Sequence, residues 1–583
     1  MGTISDKLMR IINTKEDIRQ ALISKGYDVP TSIPFKEYAK MISDLPCRVD
    51  SFPDIEGIVA RYSALGLTNE QMAANPVWVD KTGNGHDIQL KNFSWKGMSG
   101  VGGYVQDFNY FRNNATVDKI RIDEQGSNFI KVTILTTGIG NAIYIPKNIY
   151  QFNKSYFIKI SSEGYNEGDL SLSFYAPSAS TATTVKVPLN PNGITEIPAI
   201  KEDDFLAVYL NVGGKVGSIT IEQLPLYPGA LVFDGVDDYG TCDNFPILTK
   251  EKGFTIVAVR QFISVKTSSL LSKWVAADES GAFIFEGMTV AGTKINSAFG
   301  GYFRGLEKTI LSYMTSTSYN GNTIVPGNKT DTNNNLVVGR YYSDLNLHYA
   351  NAAIWEIVIL DHDATEEELT KIKDYFVKTY PWLFPDQAWT VVGKTNEDED
   401  RATIANITGN GNDLVLSNFG FAEGSGYNEE GEYAGYLVTD GVDDKIISSI
   451  FKMGNDWTVI GDWELINTGK NDNAGIVKFD SIVIYNYNYN SVLINIKNGR
   501  NILIPDQNTV NAICSDGRIY SKDWKESIYN EETESTSKNL LTIGYSGNAY
   551  TKIAFKNLAI YPTVLSREDC IKAYNYLQTL KAK

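Results

Sequence analysis

The chain has 583 residues, room for roughly three to five domains at about 100–200 residues each. Its 69 acidic residues against 53 basic give a net charge of −16, which disfavours a nucleic-acid polyanion as a partner. No apolar run approaches the roughly 18 residues of a membrane span, and Cys47, Cys242, Cys514 and Cys570 form no CxxC pair, so membrane insertion, a disulfide framework and a zinc site are not expected.

Taken in chain order, Met1–Arg10 is charged and lacks an uninterrupted apolar stretch, so the expectation is synthesis in a cytoplasm without a standard export signal. Ile4, Leu8, Ile11 and Ile12 then fall on one helix face. Thr14-x-x-Asp17 reads as the cap of a second helix burying Ile18 and Leu22 and stopping at Gly26, and Phe35, Tyr38 and Ile42 mark a third. Three short helices bury too little surface to stand alone. They are either a cap on the next domain or an attachment arm whose apolar face (Ile4, Leu8, Ile11, Ile12, Ile18, Leu22, Phe35, Tyr38) packs on a partner or on sibling copies; the arm is the expectation here.

Beyond residue 50 the chain repeats itself. The block Thr82–Asp87, TGNGHD, matches Thr408–Asp413, TGNGND, at an offset of 326, whereas Asp234–Asp238, DGVDD, matches Asp440–Asp444 at 206. Later blocks around Phe254 and Trp457, and around Ala353 and Ala554, keep nearly the second offset, so the first copy holds about 120 residues that the second lacks. Each copy ends in an apolar strand, a capping signal (Thr365-x-x-Glu368 or Ser566-x-x-Asp569) and a helix. The extra residues carry six runs of period two: FIKVTIL, SYFIKI, LSLSFYA, TTVKVPL, FLAVYLN and SITIEQL. The organisation expected is an N-terminal helical segment at 1–50, one antiparallel sandwich at 51–103 plus 231–384, an inserted β-sandwich at 104–230, and a second copy at 385–583.

In this order the TGNG, DGVDD, (F/W)T(I/V) and strand-then-helix blocks resemble laminin-G-like, concanavalin-A-like jelly-roll domains. The resemblance implies a mainly β fold of tandem antiparallel β-sandwiches. Thr3–Leu45, with INTKEDIRQALISKGYDVP and PFKEYAKMI, and the run GLTNEQMAANPVWVDKTGNGHDI are similar to virion structural proteins of tailed phages infecting Bacteroidetes, including crAss-like phages. That likeness implies a tail or head fibre, or another appendage, located in the virion. Its partners would be capsid, portal or tail proteins met through the arm, sibling subunits of a homo-oligomer, and host-surface glycan.

Asp234, Asp237 and Asp238, with Asp440, Asp443 and Asp444, concentrate hard oxygen ligands that suit calcium. Asp-Gly is equally a turn signal, and Asp side chains bond local backbone. Glycan contact calls for aromatic platforms flanked by polar groups; Trp274, Tyr341, Tyr342, Tyr485 and Tyr487 are the candidates, although alternating Tyr-Asn also suits a packed sheet face. The three histidines, His86, His348 and His362, belong to no catalytic motif. A binding protein rather than an enzyme is therefore expected. The alternatives are a purely architectural spacer or docking protein and, behind it, a glycan depolymerase built on paired carboxylates.

Overall fold

The computed structural model describes residues 52–582 except 114–117, 139–141, 167, 176–184, 203–206, 213–214, 277–279, 290–292, 306–309, 343–344, 432, 467–474, 480–481, 488–490, 497–499, 505–509, 522–523, 525, 529–540 and 547–548. The arm, with Ile4, Leu8, Ile11, Ile12, Ile18, Leu22, Phe35 and Tyr38, lies outside the described residues. Within them the fold is mainly β, in stacked antiparallel sheets. No helix of the described residues is long and apolar enough to cross a membrane.

The first sandwich pairs two eight-stranded sheets. One is centred on Asn351–Leu360, which bonds to Thr255–Phe262 on one edge, and to Leu231–Asp234 and Ile58–Ser63 on the other. The facing sheet runs from Val77–Trp78 through Ile88–Lys91, Tyr239–Cys242, Leu336–Val338, Leu271–Trp274, Gly281–Met288 and Lys294–Ala298 to Gly301–Gly305. The second copy reproduces this order strand for strand, with Ile553–Tyr561 in the central place beside Thr458–Leu465 and Gln387–Thr390. Even the bulge recurs: the register shifts between Val259 and Arg260 in the first copy and between Asp462 and Trp463 in the second.

The central strand, NAAIWEIVIL, is apolar on both faces apart from Asn351 and Glu356 because both faces are covered. Ile357 and Ile359 meet the opposite sheet, while Trp355, Val358 and Leu360 meet helix Glu366–Thr379. That helix starts with a complete capping box, Thr365 with Glu368, and places three glutamates in its first turn, where the helix dipole favours them. Ser566 caps helix Arg567–Gln578 through the Asp569 N–H. A buried clamp fixes the first helix to its sheet: Arg61 Nε lies 2.6 Å from Glu356 Oε1, its Nη2 donates to the Tyr375 hydroxyl at 2.7 Å, and Tyr380 donates to Glu356 Oε2 at 2.6 Å.

Residues 112–223 form two five-stranded sheets around their own apolar cluster, which includes Ile130, Val132, Ile158, Leu172 and Val208. All six period-two runs are strands. Four further strands carry weaker patterns: Arg112–Asn113 and Ile194–Ile197 are very short, Ile120–Gln125 is mostly polar, and Ala142–Pro146 ends in proline.

Candidate functional site

The facing sheet of the first sandwich carries a local irregularity from which a surface site is built. Between Ile284 and Gly287 the pairing of Gly281–Met288 with Lys294–Ala298 slips by a bulge, and Glu286 takes a left-handed φ of 55°. The bulge turns the Glu286 carboxylate into the core. There Arg260 Nη2 donates to Oε1 at 2.7 Å, the Tyr319 hydroxyl also donates to Oε1, and the Lys294 ammonium lies 3.0 Å from Oε2. Burial by itself raises the pKa of this carboxyl, but Arg260 and Lys294 overcome it and hold the group down at about 2.

The next residue, Gly287, supplies a bare stretch of backbone. A Cβ there would stand 3.3 Å from the Tyr341 ring and 2.8 Å from the Ile295 carbonyl oxygen, so only glycine lets Tyr341 settle on the strand. Tyr341 and Tyr342 meet edge to face at 4.7 Å, and the His348 ring lies 6.2 Å from the first and 6.3 Å from the second. Arg340 shapes the loop that carries them. Its Nε donates to the Tyr342 carbonyl at 2.9 Å, Nη1 donates to Asn346 Oδ1, and the guanidinium sits 4.2 Å over the Tyr239 ring. A bridge between Arg340 and Tyr349 closes the loop.

Burial, then the neighbouring Tyr342 and Tyr302 phenols, push the Tyr341 hydroxyl up to about 12 against the opposing charge of Arg304. Partial desolvation lowers the pKa of His348. Tyr302 is 55% exposed. The result is a half-buried pair of tyrosine rings bordered by the exposed Tyr302 phenol, His348 imidazole, Arg304 guanidinium and Asn346 amide, able to pack on an apolar ring face while hydrogen-bonding its polar edge. Of this cluster the sequence singled out Tyr341 and Tyr342 for glycan. Tyr302 and Arg304 of strand Gly301–Gly305 and Tyr239 of strand Tyr239–Cys242 escaped because they lie far from that loop in the sequence and share no motif with it. At the corresponding place of the second copy Tyr545–Ser546 pairs with Ala549–Tyr550 and the stretch is shorter, so this surface belongs to the first sandwich.

The other candidates fare differently. Trp274 is corrected: it ends strand Leu271–Trp274 and is only 4% exposed, with its ring near Gly300, so it offers no platform to a ligand. Tyr485 and Tyr487 lie in strand Ile482–Tyr487, opposite Leu493 and Ser491, and their side chains are outside the description. Each aspartate trio does converge, with one carboxylate oxygen of each residue within 4.8 Å of the others. Those oxygens serve the turn: Asp234 Oδ1 accepts from the Val236 and Asp237 N–H groups, and Asp238 accepts from Asp234 N–H at 3.0 Å and the Ser99 hydroxyl at 3.0 Å. Asp440 and Asp444 repeat the backbone bonds of this arrangement. Asp234 Oδ2 and the Asp237 carboxylate are left, well short of the roughly six to eight oxygens calcium takes. Gly235, at φ 75°, is required because a Cβ would press on Asn351. Burial pushes the Asp238 carboxyl up to about 7 and that of Asp444 to about 6.

Fold and surface together define a multi-module β-sandwich chain with an aromatic loop on its first sandwich. No family model matches the chain. No curated protein matches it either. Among solved structures it is similar to Trypanosoma rangeli sialidase in complex with sialic acid, at 9% identity over 84% of this chain and 98% of that one, with a TM-score of 0.24. It is also similar to the receptor binding domain of botulinum neurotoxin type G, at 13% identity over 33% and 50% with a TM-score of 0.20. A third is the N-terminal CBM22-1–CBM22-2 tandem domain of Paenibacillus barcinonensis Xyn10C, at 10% identity over 46% and 99% with a TM-score of 0.15. These neighbours thus include receptor-binding and carbohydrate-binding β domains, and at such scores no residue or ligand is carried across from them. The sialidases correct the expectation of a non-enzyme: enzymes stand among the neighbours, and a missing sequence motif is no ground for excluding one.

Proposed function

We propose that the chain is a structural protein of a phage virion, a tail or head fibre component, that displays its β-sandwiches to bind host-surface glycan. The arm at 1–50 attaches it to capsid, portal or tail proteins and to sibling subunits. The reading rests on the sequence likeness of the arm and of the TGNG region. The observation that carries the glycan part is the surface of Tyr341, Tyr342 and His348, on a loop that the second copy does not share, joined by Tyr302 from strand Gly301–Gly305. Repeated presentation on a particle turns weak single contacts into firm adhesion through effective concentration.

The test is a glycan array of the purified chain beside its Tyr342→Ala variant. Truncating an aromatic anchor costs about 2 kcal/mol at a binding hot spot, a loss of about thirtyfold. Hits that vanish in the variant support the reading; an array without hits, or hits that Tyr342→Ala leaves intact, favours the architectural alternative. For the arm, deletion of residues 1–46 is expected to abolish incorporation into particles, and incorporation of the truncated chain refutes attachment by that segment.

A further inference from the structure

A second concavity lies where the inserted sandwich meets the second copy. Its volume is about 390 Å³, inside the range of about 300–1,000 Å³ typical of small-molecule sites. One wall is the edge of the insert: strand Val185–Leu189, strand Ile194–Ile197 and the turn between them, which contribute Val187, Asn190, Thr195 and Glu196. The other wall belongs to the second sandwich, with Asn511 on strand Val510–Cys514, Trp524, and Tyr574 on helix Arg567–Gln578.

The two walls are held in register by aromatic rings. Tyr574 meets Phe157 of the insert at 5.6 Å and Trp524 at 5.5 Å, both edge to face. The same apolar cluster includes Phe157 and Ile194 from the insert, and Tyr520, Trp524 and Tyr574 from the second sandwich. The concavity is therefore set by a packed interface and needs both modules to exist.

Its chemistry is mixed. Aliphatic and aromatic groups form the floor, and two amides, a hydroxyl and a carboxylate stand at its polar edge. Among the described residues that line the cleft Glu196 is the one charged side chain. A lining carboxylate disfavours an anionic ligand, while amide and carboxylate oxygens accept from hydroxyl groups.

We propose that this cleft binds a neutral mono- or disaccharide, lodged between the insert and the second sandwich, with Glu196, Asn190 and Asn511 taking its hydroxyls and the Phe157–Tyr574–Trp524 cluster forming the apolar floor. The site is separate from the Tyr341–Tyr342 surface, and each stands or falls without the other.

Saturation-transfer NMR on the full chain tests it, with glucose, galactose, N-acetylglucosamine, cellobiose and lactose as probes and sialic acid as the anionic comparison. Transfer to at least one neutral probe is expected, and none to sialic acid. Glu196→Ala should weaken that binding about tenfold or more, the effect of losing a hydrogen bond to a charged group. Val187→Trp, which fills the cleft from its rim, should abolish it, and Tyr342→Ala should leave it unchanged. Native-like thermal unfolding of both cleft variants shows that the fold is kept. Absence of transfer from every neutral probe, transfer that survives Val187→Trp, or equal transfer from sialic acid overturns the proposal. Transfer that only Tyr342→Ala removes overturns it too, while supporting the aromatic loop as the sugar site.

Discussion

Replacing Glu286 by glutamine tests how the aromatic surface is supported. The substitution keeps the shape of the side chain but removes the charge that faces Arg260 and Lys294, whose side chains are 2% and 5% exposed. The carboxyl is held at about 2 against an ordinary 4.5, and at about 1.4 kcal/mol for each tenfold change in proton affinity this difference is worth about 3 kcal/mol. Loss of one partner from a buried ion pair costs about 3–5 kcal/mol, in agreement. For a sandwich of this size that is a fall in Tm of about 6–12 °C. The assay is urea unfolding at pH 7, followed by hydrogen exchange in strands Thr255–Phe262 and Gly281–Met288, which isolates the first sandwich from the rest of the chain. Because the folded pKa is depressed, the stabilisation is complete above pH 4.5 and disappears as pH falls through about 2; the variant should therefore lack that part of the acid transition. A Glu286→Gln protein within about 0.5 kcal/mol of the parent would refute the reasoning. The second copy indicates which rescue to try. It places Trp463 at the bulge position of Arg260, so a combined Arg260→Met, Glu286→Leu, Lys294→Met variant should regain most of the loss.

Other consequences follow from the same geometry. Asp238→Asn should be neutral or stabilising at pH 8: the folded carboxyl ionises only near 7, so the parent loses stability as pH rises from about 4 to 7, and melting curves across that range should diverge from those of the variant. Millimolar calcium should leave both curves in place, and a rise in Tm on its addition would show that the aspartate trios ligate the ion. Gly287→Ala drives a methyl group into Tyr341 and the Ile295 carbonyl, and is expected to weaken any glycan binding that depends on Tyr342 while costing about 1–3 kcal/mol of stability, read by array and melting together. Thr365→Ala removes a helix cap and should cost about 1 kcal/mol, seen as faster hydrogen exchange in the first turn of Glu366–Thr379.

What the sequence by itself determined is what short-range physics controls. Antiparallel β structure follows from period-two runs such as FIKVTI, the two late helices follow from Thr365-x-x-Glu368 and Ser566-x-x-Asp569, and the DGVDD turns follow from aspartates that bond the backbone two residues on. Such signals need only neighbours in the chain. Tertiary structure alone decided the rest. Trp274 looked available to a ligand because nothing local indicates that its ring is covered near the turn at Gly300. Glu286 meets Arg260 and Tyr319 only through the stacking of two sheets and a bulge. Tyr302 joins Tyr341 and His348 from another strand, and Glu196 comes within electrostatic reach of Tyr574 from far away in the sequence. A side chain's own pattern states that it prefers to be covered or exposed; which group covers it, and which polar partner it finds there, depends on surfaces that the chain brings together only when it folds.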